Sequence, residues 1–412
     1  MRVPRILVDL TPLRESRDFR ILWLSQLAST GGRQIVVVAV PYQVYVMTHS
    51  SLAVGLVGLF QVLPIIGVGL YGGALVDRFD RRRLQLIGRS VVAAASAALA
   101  LAAFALPGSL WLIYLVVAIS AGASTLDQAS RSATVPRLVS ASLLPSAMSL
   151  SQGLFQAASI VGPALAGLII LRAGVGWAYL VDVACFVPAV ALVLRLTPQP
   201  PMADHVVEVG WRAPIESWRF VRRNPLLLGL FTADLVAMIF GMPTAVFPQL
   251  ALDTFRIGPG GLGLLYAAPA AGALAGSIFS GWVGNVERQG RAVLLAIAAW
   301  GVAIAGFGLA GNRLWIGLPL LAAAGAADLV SALFRGTILQ LSVPDSLRGR
   351  MSAVHLMVVT TGPRLGDLEA GAVASAFGAV FSVVSGGLAC VAGVALLSRL
   401  VPVIRQQRVT PA

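Results

Sequence analysis

Charged side chains stand inside long apolar segments of this chain, where they are the first candidates for chemistry. Six of them fall on four such segments, the first, fourth, seventh and tenth from the N-terminus: Arg33, Asp127, Arg131, Asp234, Asp328 and Arg335. A charge in an apolar medium is energetically expensive and normally faces a polar cavity or a partner. We therefore expect these side chains to line an internal polar site.

Two acids are the main candidates for proton exchange. Asp234 lies about eight residues, or ~12 Å, into its apolar segment and has no opposite charge near it in the sequence. Because burial disfavours the charged carboxylate, Asp234 could gain and lose a proton. Asp328, close to the middle of its segment, is a second candidate. For both acids the alternative is an ion pair with Arg33 or Arg335 that stabilises one conformation.

Helical spacing predicts which face of a helix carries two further sets of charged residues. Asp127 and Arg131 are four residues apart, which predicts either a structural pair on one helix face or a third proton site. Arg364 and Asp367 also share a face, so a local ion pair is expected there. Glu369 points elsewhere and is a weaker proton candidate.

The sequence lacks the motifs of nucleotide hydrolysis, serine hydrolases and metal-dependent proteases. The chain has no phosphate-binding loop with its obligatory lysine, no Gly-x-Ser-x-Gly turn and no His-Glu-x-x-His helix. Cys185 and Cys390 have no neighbouring Cys or His at metal-ligand spacing. We expect neither an enzyme nor a cofactor or metal site, and a transport function would draw its energy from an ion gradient, with protons as the coupling ion.

The composition indicates that these charges are carried by membrane helices. Hydrophobic residues make up 58% of the 412 positions and charged residues 11%, and the mean hydropathy is +0.86; a soluble domain carries about 25% charged residues. The net charge of +13 comes from arginines placed mostly between apolar segments. This pattern favours membrane loops over a nucleic-acid site. No removable signal peptide is expected.

The apolar segments predict an all-α protein of twelve membrane spans, since about 20 residues cross the hydrocarbon core. The spans are 20–47, 52–76, 84–106, 110–134, 143–171, 177–196, 226–251, 261–284, 292–311, 314–341, 351–375 and 378–402. The long polar stretch between the sixth and seventh spans predicts three regions: an N-terminal six-helix bundle, 1–196; a linker, 197–224; and a C-terminal bundle, 225–412. Arginines concentrate on one side, which predicts cytoplasmic termini and linker in a bacterial inner membrane.

The two halves repeat each other at a displacement of 208 residues. The matched landmarks are Gly55 with Gly263, Gly73 with Gly281, Asp77 with Asn285 and Pro136 with Pro344. Transporters built from two parallel repeats place a substrate cavity near the midplane and move one repeat against the other. The repeat predicts this arrangement here.

The loop after the second span resembles a motif of the major facilitator superfamily. Residues 72–83 read Gly-Gly-Ala-Leu-Val-Asp-Arg-Phe-Asp-Arg-Arg-Arg, similar to Gly-x-x-x-Asp-Arg-x-Gly-Arg-Arg. The resemblance implies that Gly73 permits a close helix contact and that Asp77 pairs with an arginine or a helix N-terminus. The basic residues at the lipid headgroups would be Arg78, Arg81 and Arg82. Asp80 replaces the family's glycine, so the turn is expected to differ.

The fifth span resembles the motif of exporting members of the superfamily, Gly-Pro-x-x-Gly-Gly. Its matching residues are Gly162, Pro163 and Gly167, while Ala158 and Ala166 replace two of the family's glycines. Small residues allow close helix packing, and the proline removes a backbone hydrogen bond and kinks the helix. The match favours export over uptake.

Further stretches are similar to the enterobactin-exporter and multidrug-efflux branch of the superfamily. They are 40–50, 135–139, 343–350 and 362–371. The resemblance implies a monomeric secondary exporter of small amphipathic molecules, drug-like compounds or siderophores, working by proton antiport and alternating access. An uptake permease of the same fold and a non-transporting receptor or scaffold are the alternatives.

Overall fold

The computed structural model describes residues 9–105, 108–201, 212–344 and 347–408. Throughout these ranges the regular structure is helical, and no strand occurs in them. This follows from the composition, because a lipid-exposed chain must bond its own backbone groups, and a helix does so within one segment. The prediction of an all-α fold is confirmed.

The N-terminal part contains one short and six long helices. They are α1 (Thr11–Glu15), α2 (Arg17–Thr48), α3 (Ser51–Arg78), α4 (Arg81–Ala105), α5 (Leu110–Leu138), α6 (Leu144–Ala173) and α7 (Val175–Val193). The junction of α6 and α7 is a single glycine, Gly174, whose φ of 90° an L-residue rarely adopts. The two helices therefore follow one another with no loop between them.

The C-terminal part follows the same plan, with one helix broken. Its helices are α8 (Arg212–Arg223), α9 (Pro225–Phe240), α10 (Phe247–Gln249), α11 (Gly258–Ile278), α12 (Gln289–Leu309), α13 (Leu314–Ser342), α14 (Arg348–Phe377), α15 (Ala379–Leu400) and α16 (Pro402–Gln406). A 3₁₀ turn, Thr244–Val246, precedes α10, and a π-helical turn, Leu250–Thr254, follows it. Asn224 caps α9 by accepting hydrogen bonds from the N–H groups of Leu226 and Leu227.

Within the described ranges, ten helical segments are long and apolar enough to cross a membrane. They include every long helix except α2 and α14, with Pro225–Thr254 counted as one segment. Both exceptions have the length of a span, 32 and 30 residues, but polar side chains interrupt them. The charged site candidates Arg33 on α2 and Glu369 on α14 are among these side chains.

The structure contains two compact units with an unusual boundary. Unit 1 is Met1–Val40 with Leu63–Val209, and unit 2 is Pro41–Val62 with Gly210–Ala412. The C-terminal end of α2 and the first part of α3 thus belong to unit 2. This division differs from the domain limits predicted from the sequence, 1–196, 197–224 and 225–412, in that segment and in the linker, which it divides between residues 209 and 210.

Helix boundaries show the internal repeat at two displacements. The starts of α2 and α9, at residues 17 and 225, and of α4 and α12, at 81 and 289, are 208 residues apart. The starts of α5 and α13, at 110 and 314, are 204 apart. The landmark that pairs Pro136 with Pro344 is therefore wrong: Pro136 lies inside α5, and Pro344 follows the end of α13.

Candidate transport sites

An arginine and two aspartates form the charged centre of unit 2. The Arg335 Nη2 atom, on α13, lies 2.9 Å from Oδ1 of Asp234 on α9. Asp328, seven residues before Arg335, has its Oδ1 3.8 Å from the same nitrogen. The Asp234 side chain is 1% exposed, whereas that of Asp328 is 36% exposed. One guanidinium therefore faces a buried and a more accessible carboxylate.

Some carboxylate oxygens of these two acids accept no hydrogen bond. Oδ2 of Asp234 and Oδ1 of Asp328 are buried and have no hydrogen-bond partner among the described residues, while Oδ1 of Asp234 contacts Arg335. An acceptor without a partner is unfavourable away from water, and protonation gives a carboxyl group a donor and a smaller charge. The arrangement is therefore chemically able to bind a proton.

A crevice reaches this centre from one side. It is lined by apolar residues of α9 and α13 together with Asp234, Arg335 and His355. The His355 ring, on α14, is partly buried and lies 6.1 Å from the Phe231 ring between centroids. From the sequence a solvated histidine is expected near the start of the eleventh span. The structure places the partly buried His355 on the wall of this crevice, where α14 packs against α9.

Unit 1 has a buried ion pair of its own. The Arg89 Nε atom, on α4, donates to Oδ1 of Asp127 on α5 at 2.9 Å, and the Arg89 side chain is fully buried. Arg89 Nη1 donates to the hydroxyl of Ser25 on α2. The expected pair of Asp127 with Arg131 is therefore wrong. A neighbouring helix supplies the partner, because α4 and α5 approach closely at Gly88.

A second buried acid of unit 1 is Asp182 on α7, which is 1% exposed. It accepts a hydrogen bond from the hydroxyl of Ser96 on α4, and its Oδ1 has no hydrogen-bond partner within the described ranges. Gly32 on α2 lies so close that a side chain there would collide with Asp182. Sequence reasoning missed both Asp182 and Arg89. A count of the charges on the third and sixth apolar segments would have found them.

Arg33 and Arg131 complete this cluster without an ion pair of their own. Asp127 and Arg89 lie close enough to act electrostatically on both side chains, and Asp182 acts on Arg33. Neither guanidinium is within 4.0 Å of a carboxylate oxygen of any described residue. The Nε atom of Arg33 is buried and has no hydrogen-bond partner in the same ranges.

The seventh span is a broken helix held by side chains of its neighbours. The indole Nε1 of Trp300 donates to the carbonyl of Gly241, directly after α9, at 3.0 Å. Asp367 on α14 accepts the Ala245 N–H at 2.9 Å and the Thr244 hydroxyl. Irregular backbone at membrane depth needs such partners, because lipid offers none.

These contacts overturn the expected local pair of Arg364 with Asp367. Asp367 caps the second half of the broken helix instead. The Arg364 Nε atom donates to Oε1 of Gln61 on α3 at 3.0 Å. Glu369 is partly buried and has no carboxylate–guanidinium contact within 4.0 Å in the described part of the chain.

In the loop between α3 and α4, Asp80 occupies the position of the family's glycine and binds backbone N–H groups. Its Oδ1 accepts the N–H groups of Arg82 at 2.8 Å and Gln199 at 3.3 Å, so Asp80 caps α4. Arg82 binds the carbonyls of Val193 and Leu194 at the C-terminus of α7, where a cation is favourable.

The other residues of this loop are placed as follows. Arg81 is buried, its Nη1 3.3 Å from the carbonyl of Ala133. Asp77 is partly buried and close enough to act on Arg81, and Arg78 is exposed. A side chain at Gly73 would meet nothing within 4 Å. The close contact expected at Gly73 is therefore absent among the described residues.

The close contact occurs instead at the fifth-span motif. A side chain at Gly162 would collide with Gln34 of α2, and Gln34 Nε2 donates to the nearby Ser159 hydroxyl. Pro163 and Gly167 follow on α6 and are buried. The small residues of this motif therefore do permit the expected close packing.

A row of polar contacts joins the segment Pro41–Val62 to the rest of unit 2. The Tyr45 hydroxyl donates to Asp253, and the Ser51 hydroxyl donates to Oε1 of Gln249 at 2.6 Å. The Leu52 N–H donates to the Ser375 hydroxyl at 2.9 Å. We call these three contacts the latch. No cluster of His, Cys, Asp and Glu able to hold a metal occurs in the described ranges.

Comparison with known proteins decides the family. The family model of transmembrane secretion effectors, a group of the major facilitator superfamily, matches residues 8–411. The chain belongs to this family. This confirms the resemblance found in the sequence and makes the protein a multi-pass membrane transporter.

Relatives of this chain include enterobactin exporters. The chain is 30% identical over 411 residues to the enterobactin exporter EntS of Shigella flexneri, covering 98% of this chain and 97% of that protein. The enterobactin exporter EntS of Shigella boydii serotype 18 is 29% identical over the same shares.

Solved structures share the fold at low identity. A bacterial homologue of the iron transporter ferroportin, in an inward-facing state, superposes with a TM-score of 0.70 at 18% identity, covering 95% of this chain and 99% of that one. A POT family transporter in complex with 5-aminolevulinic acid gives 0.76 at 12% identity, with 94% and 97% covered. These likenesses show the fold alone.

Proposed function

We propose that this protein exports small amphipathic molecules, drug-like compounds or siderophores, from the cytoplasm by proton antiport and alternating access. The observation that carries the proposal is the sharing of Arg335 by Asp234 and Asp328 beside a crevice. Two carboxylates on one guanidinium have a negative charge in excess, which one proton neutralises.

The proton and the cargo are coupled through this excess charge. With both acids ionised, Arg335 interacts with each, and Asp234 stays fixed to α13. Protonation of Asp328, the more exposed acid, leaves Arg335 to Asp234 alone. Protonation of Asp234 frees α9 from α13, so that the helices can rearrange. Asp234 and Asp328 are the proposed proton carriers, with Asp127 and Glu369 as weaker candidates.

Proteoliposomes with an imposed pH gradient test the coupling. Enterobactin and ethidium serve as probes, one the cargo of the relatives and the other a drug-like cation. We expect gradient-driven flux of at least one probe into the acidic compartment, lost in Asp234→Asn and Asp328→Asn. Glu287→Gln, an exposed acid of unit 2, is the matched control and should transport normally. Flux that persists after collapse of the gradient would contradict proton antiport.

The direction of transport rests on a separate observation. The packing of Gly162 against Gln34 involves the motif that resembles exporting members of the superfamily, which supports export. An uptake permease would instead alkalinise the medium when cargo is added outside. Measuring external pH in cells that express the protein therefore separates the two directions.

A further inference from the structure

Unit 1 has more positive than negative charge where the partly buried Arg33 and Arg131 adjoin the buried Arg89–Asp127 pair. The charged groups that face one another there are the guanidinium groups of Arg33, Arg89 and Arg131 and the carboxylates of Asp127 and Asp182. Arginine stays charged even when buried. With both acids ionised one positive charge is in excess, and with Asp182 neutral there are two.

Neither acid compensates Arg33 or Arg131 directly. Asp127 is bound by Arg89 at 2.9 Å, and Asp182 is bound by the Ser96 hydroxyl. Buried donor atoms also remain: Nε of Arg33 and Nη2 of Arg89 have no hydrogen-bond partner among the residues described. A buried cation with unused donors is strongly unfavourable until an anion binds it.

The excess of positive charge is confined to unit 1, because the corresponding site of unit 2 has an excess of negative charge. There one arginine faces two aspartates. Arg131 and Arg335 are 204 residues apart, as are the starts of α5 and α13, so the two arginines occupy equivalent positions of the repeat. The position equivalent to Asp328 in unit 1 is Ser124. Unit 1 therefore has the arginine without that carboxylate.

We infer that Arg33 and Arg131 bind an anionic group of the cargo, a carboxylate or phosphate, with Arg89 and its partners positioning them. This inference rests on the proposed export function and specifies its substrate class. Charge-assisted hydrogen bonds from guanidinium groups are strong and suit the planar oxygen pairs of such groups. The acids of unit 2 then remain free to handle the proton.

Binding to purified protein in detergent tests the inference without any gradient. The probes are fluorescein, an anion, and ethidium, a cation, each followed by fluorescence anisotropy. We expect fluorescein to bind, and Arg33→Gln or Arg131→Gln to weaken it about tenfold or more. Lysine at either position keeps the charge and should retain binding within about threefold. Arg172→Gln, an exposed arginine of unit 1, should bind as the wild type does.

Several results would overturn the inference. They are an absence of fluorescein binding, equal binding by the Arg33→Gln/Arg131→Gln double variant, and equal losses in the lysine and glutamine variants. Displacement by phosphatidylglycerol but not by phosphatidylcholine would assign the site to a lipid headgroup instead of cargo. Ethidium export without anion binding would refute this site alone, whereas anion binding without driven flux would refute the export proposal alone.

Discussion

At the scale of single residues, each unit holds an arginine–aspartate pair away from water. Arg89 with Asp127 and Arg335 with Asp234 both have nitrogen–oxygen distances of 2.9 Å. Removing one partner of such a pair leaves an uncompensated charge, which is worse than removing both. Each pair therefore links two different helices, α4 with α5 and α9 with α13.

The Arg89 pair gives a test of this dependence. Arg89→Gln removes the guanidinium that binds Asp127 at 2.9 Å and leaves that carboxylate without an ion-pair contact, so we expect a loss of up to ~3–5 kcal/mol of stability and a lower melting temperature in detergent. The double variant Arg89→Gln/Asp127→Asn should recover part of the loss, because both members of this pair are then neutral. Arg172→Gln should melt as the wild type does. A single variant as stable as the control would refute the structural role of Arg89.

At the scale of elements, the seventh span depends on a helix that lies far from it in the sequence. The break after α9 leaves backbone groups open, and Asp367 and Trp300 bond to them. A discontinuous helix is a common place for transporters to bind ions or change shape. The geometry of this span is thus determined by α12 and α14 as much as by its own Gly241 and Pro243.

Asp367 can be tested as a cap. Asp367→Ala removes the acceptor of the Ala245 N–H, and an unsatisfied buried donor costs about 1–3 kcal/mol. We expect a lower melting temperature and faster hydrogen exchange of the Thr244 and Ala245 amides. Glu287→Ala, an exposed acid of the same unit, should change neither quantity. Unchanged exchange at residues 244–245 would show that the cap is not needed.

Glycines of the two family motifs should respond in opposite ways. Gly162→Leu forces α6 away from Gln34 of α2, so we expect poor expression and a lower melting temperature. Gly73→Ala meets no atom within 4 Å and should be neutral, or stabilising by roughly 0.5–1 kcal/mol, as alanine favours a helix interior. If Gly73→Ala were the more damaging change, the loop motif would make a close contact in another conformation.

At the scale of the whole molecule, the latch is a test of alternating access. It joins Ser51, at the start of α3, to Gln249 beyond the break of the seventh span. We expect a short bifunctional thiol reagent to crosslink Ser51→Cys with Gln249→Cys in a chain with alanine at Cys185 and Cys390. If the latch opens within unit 2 during the transport cycle, flux should stop on crosslinking and return on cleavage of the reagent. Full flux through crosslinked protein would mean that these residues stay together throughout transport.

Much of the fold is predictable because lipid imposes long apolar helices with visible limits. The helical fold, most of the apolar spans and the presence of Asp234, Asp328 and Arg335 within them can be read from the sequence. The partners cannot, because contacts between helices depend on rotation and depth. For this reason helical spacing predicts Arg131 as a partner of Asp127, where the structure has Arg89, and Arg364 as a partner of Asp367, where the structure has the Ala245 N–H.

The assignment of Pro41–Val62 to unit 2 has a consequence for fragments of the gene. A polypeptide ending in the sixth span would contain Tyr45 and Ser51 but lack Asp253 and Gln249, to which they bond. Such a truncated product would leave the polar groups of Tyr45 and Ser51 without the partners that the full chain provides. Two half-length proteins translated separately would therefore have to assemble before these hydrogen bonds could form.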